Sequence, residues 1–288
     1  MQHTFGRSRL EGGESMKVGV IGTGNMGTIL SEALLEGKAV SPSDLIVVNR
    51  TKAKADELKY KFEGIEVANS PKETINKAKL IFICVKPHDI LPLLKSHLQD
   101  LTAEHCIVSI TSPIKVEWLE SIIPCSCVRI IPSITNRALS GVSLFSFGKK
   151  CDQQWQNKLI NMFDKISFPI DINDNITRVA SDIVSCGPAF FSYMTRRFID
   201  AAVAETKIDR ETATLLSEQM LIGLGDLLKK GYYSLPTLEE KVCVKGGITG
   251  IGIDVLEVEL HDVFEKLFQA THQKFNLEVK EIEVKHHL

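Results

Sequence analysis

Gly22-Thr23-Gly24-Asn25-Met26-Gly27 stands directly behind Lys17-Val18-Gly19-Val20-Ile21, an apolar run with the composition of a buried strand. Such a G-x-G-x-x-G turn between a strand and a helix narrows the possible folds sharply. The first glycine permits the tight turn, the second lets backbone approach a pyrophosphate, and the third allows close helix–strand packing. The anion then faces the free amides at the helix N-terminus. Alone the motif is weak; in this strand–turn–helix context it predicts a dinucleotide site made by Gly22, Thr23, Gly24, Asn25, Met26 and Gly27.

The end of the next strand discriminates between dinucleotides. An NAD site wants an acidic residue about 20 residues past the glycines, to hold the ribose hydroxyls. Here the position is Asn49, followed by Arg50, Thr51 and Lys52. A carboxylate would repel a 2′-phosphate, whereas a guanidinium and a hydroxyl grip it through charge-assisted hydrogen bonds. Asn49, Arg50 and Thr51 therefore point to NADP(H). The plainer reading makes Arg50 the start of a solvated helix.

From residue 16 to about 172, short β-branched runs alternate with helical patterns. Strands are expected over 17–21, 45–49, 80–85, 106–110, 128–131, 142–147 and 169–172, with helices over 26–35, 52–62, 90–98 and 152–165. Runs of Val, Ile and Phe without polar alternation suit a sheet covered on both faces. Strand–helix–strand repetition at this spacing implies right-handed crossovers and a mostly parallel sheet. The fold class is α/β, a doubly wound Rossmann sheet followed by an all-helical domain. Past residue 173 the texture is helical: 176–204, interrupted at Gly187-Pro188, then 210–230 and 252–276, with one weak strand run over 277–284. Leu221, Leu224, Leu227 and Leu228 form apolar faces that about 100 residues of helix cannot cover alone, and a second copy of the chain would cover them. The expected domains are a leader over 1–15 with Met16 as the natural start, a cofactor domain over 16–172, a helical domain over 173–276 and a tail over 277–288.

The 288 residues suffice for two ordinary domains. A net charge of −2 gives no sign of a nucleic-acid partner. No apolar run approaches the ~20 residues of a membrane span, and no basic-then-apolar leader opens the chain. Seven Cys without paired spacing read as reduced, mostly buried thiols, and a cytoplasmic location is expected. The eight His show no ligand spacing, so no metal is expected, and His286-His287 reads as a solvated tail. Trp118 and Trp155 read as packing residues on amphipathic helices.

Two later clusters look chemical. One is Val184-Ser185-Cys186-Gly187-Pro188-Ala189-Phe190. The other is Lys245-Gly246-Gly247-Ile248-Thr249-Gly250-Ile251-Gly252, where glycines gather before a helix. A glycine-rich helix N-terminus offers amides and a favourable dipole to an anion. Thr249 has a hydroxyl to donate and Lys245 a positive charge; the plainer reading makes Thr249 an N-cap.

With these motifs the chain resembles the pyrroline-5-carboxylate reductase family. The matches are Val20-Ile21-Gly22-x-Gly24-Asn25-Met26-Gly27, Val48-Asn49-Arg50, Val85-Lys86-Pro87, Val128-Arg129-Ile130-Ile131-Pro132, Gly187-Pro188-Ala189-Phe190 and Gly246-Gly247-x-Thr249. The resemblance implies NADPH in the N-terminal domain, with Val85, Lys86 and Pro87 at a strand end against it, and a homodimer, or a higher assembly, interlocked through the C-terminal helices. It further implies hydride transfer to a cyclic imine bearing a carboxylate, giving L-proline. Thr249 would hydrogen-bond the ring nitrogen as the catalytic residue, and the amides of Gly246, Gly247 and Ile248 would hold the carboxylate, with Lys245 beside them. Asp200 stands where the family often has Glu, although an exposed helical carboxylate explains it equally well.

The departures concentrate in the substrate pocket. Val244 and Lys245 replace a Ser-Pro pair, Ser133-Ile134-Thr135 replaces Asn-Thr-Pro, Thr111-Ser112-Pro113 replaces a small turn, Cys186 replaces Ser, and Pro71 replaces an Asn near the ribose. That pattern suits a paralogue, such as the reductase-like protein encoded beside late-competence operons, more than a housekeeping enzyme. Two alternatives to the proline-forming reaction stand beside it: reduction of another small imine, and an inactive NADP-binding regulator. The β-hydroxyacid dehydrogenases share the architecture but need a Lys that 185–195 lacks.

Overall fold

The computed structural model describes residues 16–287; the expected leader over 1–15 lies outside them. Eight strands form one sheet among the described residues. They are β1 (Val18–Ile21), β2 (Leu45–Val48), β3 (Glu66–Val67), β4 (Leu80–Ile83), β5 (Cys106–Ser109), β6 (Ser126–Ile131), β7 (Val142–Phe147) and β8 (Phe168–Asp171). Their order across the sheet is β3-β2-β1-β4-β5-β6-β7-β8, and every pairing is parallel except β6 with β7. All seven strands expected between residues 17 and 172 form. The one added, β3, has two residues, too few to carry a hydrophobic pattern of its own.

The connecting helices are α1 (Asn25–Glu36), α2 (Lys52–Lys61), α3 (Pro71–Lys77), α4 (Pro87–Ser96), α5 (Val116–Ile122) and α6 (Gln153–Phe163). They cover both faces of the sheet, as its unbroken apolar strands require. One face buries Val18, Val20, Leu45, Val47, Leu80 and Phe82 against Leu30, Leu34, Leu159 and Phe163. The other buries Ile21, Ile46, Val48, Ile81 and Ile83 against Ile75, Ile90, Leu94, Trp118 and Leu119. Each such Leu, Ile or Phe stabilises by about 1.5–3 kcal/mol. Trp118 is buried and Trp155 packs on the core from α6, as expected.

Beyond β8 the chain is helical: α7 (Thr177–Ser181), a π turn (Asp182–Cys186), α8 (Gly187–Glu205), α9 (Arg210–Lys230), α10 (Leu235–Val242), α11 (Ile248–Leu260) and α12 (Val263–His286). The interruption expected at Gly187-Pro188 is present: α8 begins at Gly187 behind a π turn, with Pro188 in its first turn. Two expectations are corrected. The helix expected over 252–276 is cut at His261, which has φ 11° and ψ −87°. The strand and tail expected over 277–288 are the end of α12. Its Ile282 is fully buried beside Ile90, Trp118 and Leu119, and His286 belongs to the same docked helix rather than to a solvated tail.

Contacts divide the chain differently from the sequence boundaries at 173 and 276. One unit holds the residues up to Cys186 together with those from His272 onward; the other is Gly187–Thr271. Within the first unit, Arg129 on β6 is almost completely buried. It donates to Ser146 Oγ at 2.9 Å and Thr177 Oγ1 at 2.7 Å, and pairs with Asp174. One guanidinium thus ties β6, β7 and α7 together. Arg129→Ala is expected to cost about 3–5 kcal/mol in urea unfolding, because buried hydroxyls and Asp174 lose their partner. A loss below about 1 kcal/mol, the level of an exposed ion pair, would contradict this role.

Candidate cofactor site

The sheet order reverses between β1 and β4, and the loops leaving their carboxyl ends diverge there. In open α/β sheets this switch point is where ligands bind. Gly22 N–H donates to Val48 O and Cys84 N–H to Ile21 O, both at 2.8 Å, so the three strand ends are held level. Above them opens a cleft of about 640 Å³. Its walls are Gly22 and Gly24 from the first loop, Asn49, Arg50 and Thr51 from the end of β2, and Val85 and Lys86 from the end of β4.

The three glycines do different work. Gly22 has φ +103°, a left-handed conformation that side chains resist. A Cβ on Gly27 would collide with the carbonyl oxygen of Gly22, so this position is where α1 meets the strand. A Cβ on Gly24 would meet nothing within 4 Å, leaving open space over the helix entrance. Gly24 is also the N-cap of α1 and supplies no side chain to the first amides, which stay available to a phosphate. The Thr23 hydroxyl is buried without a hydrogen-bond partner. An open cradle, uncapped amides and an orphaned hydroxyl fit a pyrophosphate.

Of the other expected residues, Asn49, Arg50, Thr51, Val85 and Lys86 line the cleft, whereas Thr23, Asn25, Met26, Gly27 and Pro87 do not. Thr23 N–H donates to Asn49 Oδ1 at 3.1 Å, and Asn49 Nδ2 donates to Thr51 O at 3.0 Å. Asn49 therefore shapes the loops and leaves Arg50 and Thr51, both exposed, at the cleft wall. Asn25 is exposed at the helix entrance, Met26 packs on the core, and Pro87 begins α4. Lys54, Asn69, Asp89 and Leu93 also line the cleft and were missed. Lys54 lies two residues beyond the Arg50–Lys52 stretch and was open to detection. Asn69 follows the two-residue β3 and is fixed by donating to Glu73 Oε2 through its backbone N–H at 2.8 Å and its Nδ2 at 3.1 Å. Lys77 and Asn69 hold the Glu73 carboxyl down to about 2. Pro71 lines the cleft too, so Asn69 supplies an amide close to where the family pattern has one.

Lys245, Gly246, Gly247, Ile248 and Thr249 lie in the second unit. Gly246 has φ +74°, and Gly247 N–H donates to Val244 O at 2.8 Å, which closes the turn. The N-cap of α11 is Gly247, with no side-chain cap; Thr249 is the second helical residue, which corrects the N-cap reading. Ile248 is 89% exposed, and nothing lies within 4 Å of a Cβ placed on Gly246, Gly250 or Gly252. Asp200 belongs to the same unit and is paired with Arg210 at 2.7 Å, which holds its carboxyl below the usual range. Cys186 is half-buried, accepts from Arg178 Nη2 at 3.5 Å, and has its thiol pushed up by burial. No group of three or more His, Cys, Asp or Glu fit to hold a metal occurs among the described residues, and no helix among them is long and apolar enough to cross a membrane.

Comparison with known proteins bears on both units. Residues 174–277 match the pyrroline-5-carboxylate reductase dimerisation family, and residues 17–113 match the NADP oxidoreductase, coenzyme F420-dependent, family. Over 273 residues the chain is 50% identical to ComE operon protein 4 of Bacillus subtilis, spanning 95% of this chain and 100% of that protein. The chain belongs to the pyrroline-5-carboxylate reductase family. Pyrroline-5-carboxylate reductase 3 of the same bacterium is 26% identical over 268 residues, spanning 92% of this chain and 98% of that one. The crystal structure of Plasmodium falciparum pyrroline carboxylate reductase with NADP bound superposes with a TM-score of 0.80 at 21% identity, over 94% of this chain and 99% of that one. The cofactor of this family member is NADP(H), in keeping with the match over residues 17–113.

Gly24→Ala is expected to keep the stability of the parent within about 0.5 kcal/mol and to weaken NADPH binding by about tenfold or more, since its methyl fills the cradle. Gly27→Ala is expected to lower the melting temperature. Thermal unfolding and NADPH titration of both variants check the pair; equal binding by Gly24→Ala and the parent would place the phosphates elsewhere.

Proposed function

We propose that the protein reduces L-1-pyrroline-5-carboxylate to L-proline with NADPH in the cytoplasm, as a homodimer or a higher assembly built on its C-terminal helices. The observation that carries this reading is the pairing, in one chain, of an open phosphate cradle with a glycine-rich helix start bearing Thr249. The pyrroline-5-carboxylate reductases among the relatives support it.

Bound NADPH supplies the hydride. The chain itself has to hold the substrate carboxylate, exclude water and favour the protonated imine, the better acceptor. The amides of Gly246, Gly247 and Ile248, at the positive end of α11, suit the carboxylate. Lys245 adds charge where the family pattern has a neutral residue. The Thr249 hydroxyl accepts from the ring N–H of the protonated imine and so favours that form, whose proton comes from solvent; adding hydride to the imine carbon then leaves a neutral ring amine, so no charged acid is needed. Apolar side chains left exposed on three helices support the assembly: Phe191 and Phe198 on α8, Leu216 and Met220 on α9, and Ile251 and Val255 on α11. Such an area on a single chain marks an interface, and the dimerisation match covers all three.

A second reading is favoured by one finding. Identity to ComE operon protein 4 is 50%, against 26% to the B. subtilis reductase, and Val244 and Lys245 replace residues of the substrate loop. A paralogue that binds NADP(H) with little turnover, or one acting on another small imine, fits that divergence.

Mixing purified protein, NADPH and pyrroline-5-carboxylate and following cofactor absorbance separates these readings. Turnover that falls about 10²-fold in Thr249→Ala is expected for the reductase. NADPH binding without oxidation in either protein favours the regulator. Arg50→Ala is expected to weaken NADPH by about tenfold while leaving NADH nearly unchanged; an unchanged ratio of the two affinities would contradict the 2′-phosphate assignment.

A further inference from the structure

The last turns of α12 pack on the cofactor domain under the cleft. Ile282 is fully buried and Val279 half-buried in the same apolar cluster as Ile90, Leu91 and Leu94 of α4 and Trp118 and Leu119 of α5. Polar contacts flank them: His88 Nε2 lies 3.8 Å from Glu281 Oε2, and Lys115 Nζ donates to Glu283 Oε1 at 3.2 Å. Lys115 also sits over the Trp118 ring at 5.0 Å. That cluster continues to the cleft. Ile21, Val48, Val85 and Leu93 belong to it or pack against it, and the same four side chains line the cleft. Lys86 and Asp89, just before and within the first turn of α4, complete that wall.

We infer that the end of α12 is a brace for the nucleotide site, and that Ile282 is a positioning residue: it holds α4, and through Val85 and Leu93 the apolar wall of the cleft, at the spacing the nucleotide needs. Interiors are close-packed, so a void under one side of a helix shifts that helix instead of being absorbed evenly. Asn49, Arg50 and Thr51 line the same cleft, so the brace acts on the adenosine end of the cofactor. This rests on the NADP(H) assignment of the cleft.

The test uses the full chain with Ile282→Ala, Ile282→Val and Leu159→Ala. Leu159 is equally buried but lies in the core on the other face of the sheet, and its truncation gives the purely structural control. Binding of NADPH and of adenosine 2′,5′-bisphosphate is titrated for each variant well below its melting temperature. The brace predicts that Ile282→Ala weakens both ligands by the same factor, about three- to tenfold, while Ile282→Val stays within about twofold of the parent. Leu159→Ala should lose melting temperature without moving either constant. Unchanged binding in folded Ile282→Ala overturns the brace, as does equal weakening by Leu159→Ala. Should Ile282→Ala not fold, Val279→Ala, which truncates the other α12 side chain packed on that cluster, takes its place, and unchanged binding of both ligands overturns the brace. If the parent binds neither ligand, the cofactor assignment falls and the brace with it.

Discussion

A helix cannot satisfy its own first amides, and the chain exploits that constraint at the one place where the sheet order reverses. Ile21 ends β1, Gly22 turns with positive φ, and Gly24 caps α1 without a side chain. Everything nearby maintains that unsatisfied edge. Gly27 brings the helix down onto the strand, Asn49 ties the β2 loop to Thr23, and Cys84 N–H anchors the end of β4 to Ile21. A side chain at Gly24 or a carboxylate at Asn49 would change the ligand or exclude it. Affinity for an anionic dinucleotide comes from backbone exposure more than from any single charged side chain.

Much of this was legible because buried strands and glycine turns write strong local patterns. Leu45–Val48 and Leu80–Ile83 are apolar throughout, as strands covered on both faces must be. Glu66–Val67 left no trace, because two residues make no pattern, and Asn69 behind it stayed hidden. The run 277–284 alternates enough to resemble a strand, yet it is helical because Val279 and Ile282, three residues apart, reach the same core. Pro188 reads locally as the first turn of a new helix, and no local signal announces the π turn that leads into it.

The same physical reasoning explains why substrate chemistry is less legible than cofactor chemistry. A phosphate cradle needs glycines at fixed spacing, and those glycines are intact. A small carboxylate can be held by amides that any sequence provides, so Val244 and Lys245 can stand ahead of the helix start at Gly247 without erasing it. Kinship is clear, with 50% identity to one relative and 26% to a reductase.

All of this depends on the dinucleotide occupying the carboxyl ends of β1, β2 and β4. Amide hydrogen exchange with and without NADPH tests this directly. Protection confined to residues 22–28, 49–54 and 84–93 is the predicted result. Protection that leaves the glycine turn untouched, or appears only in other parts of the chain, would contradict it.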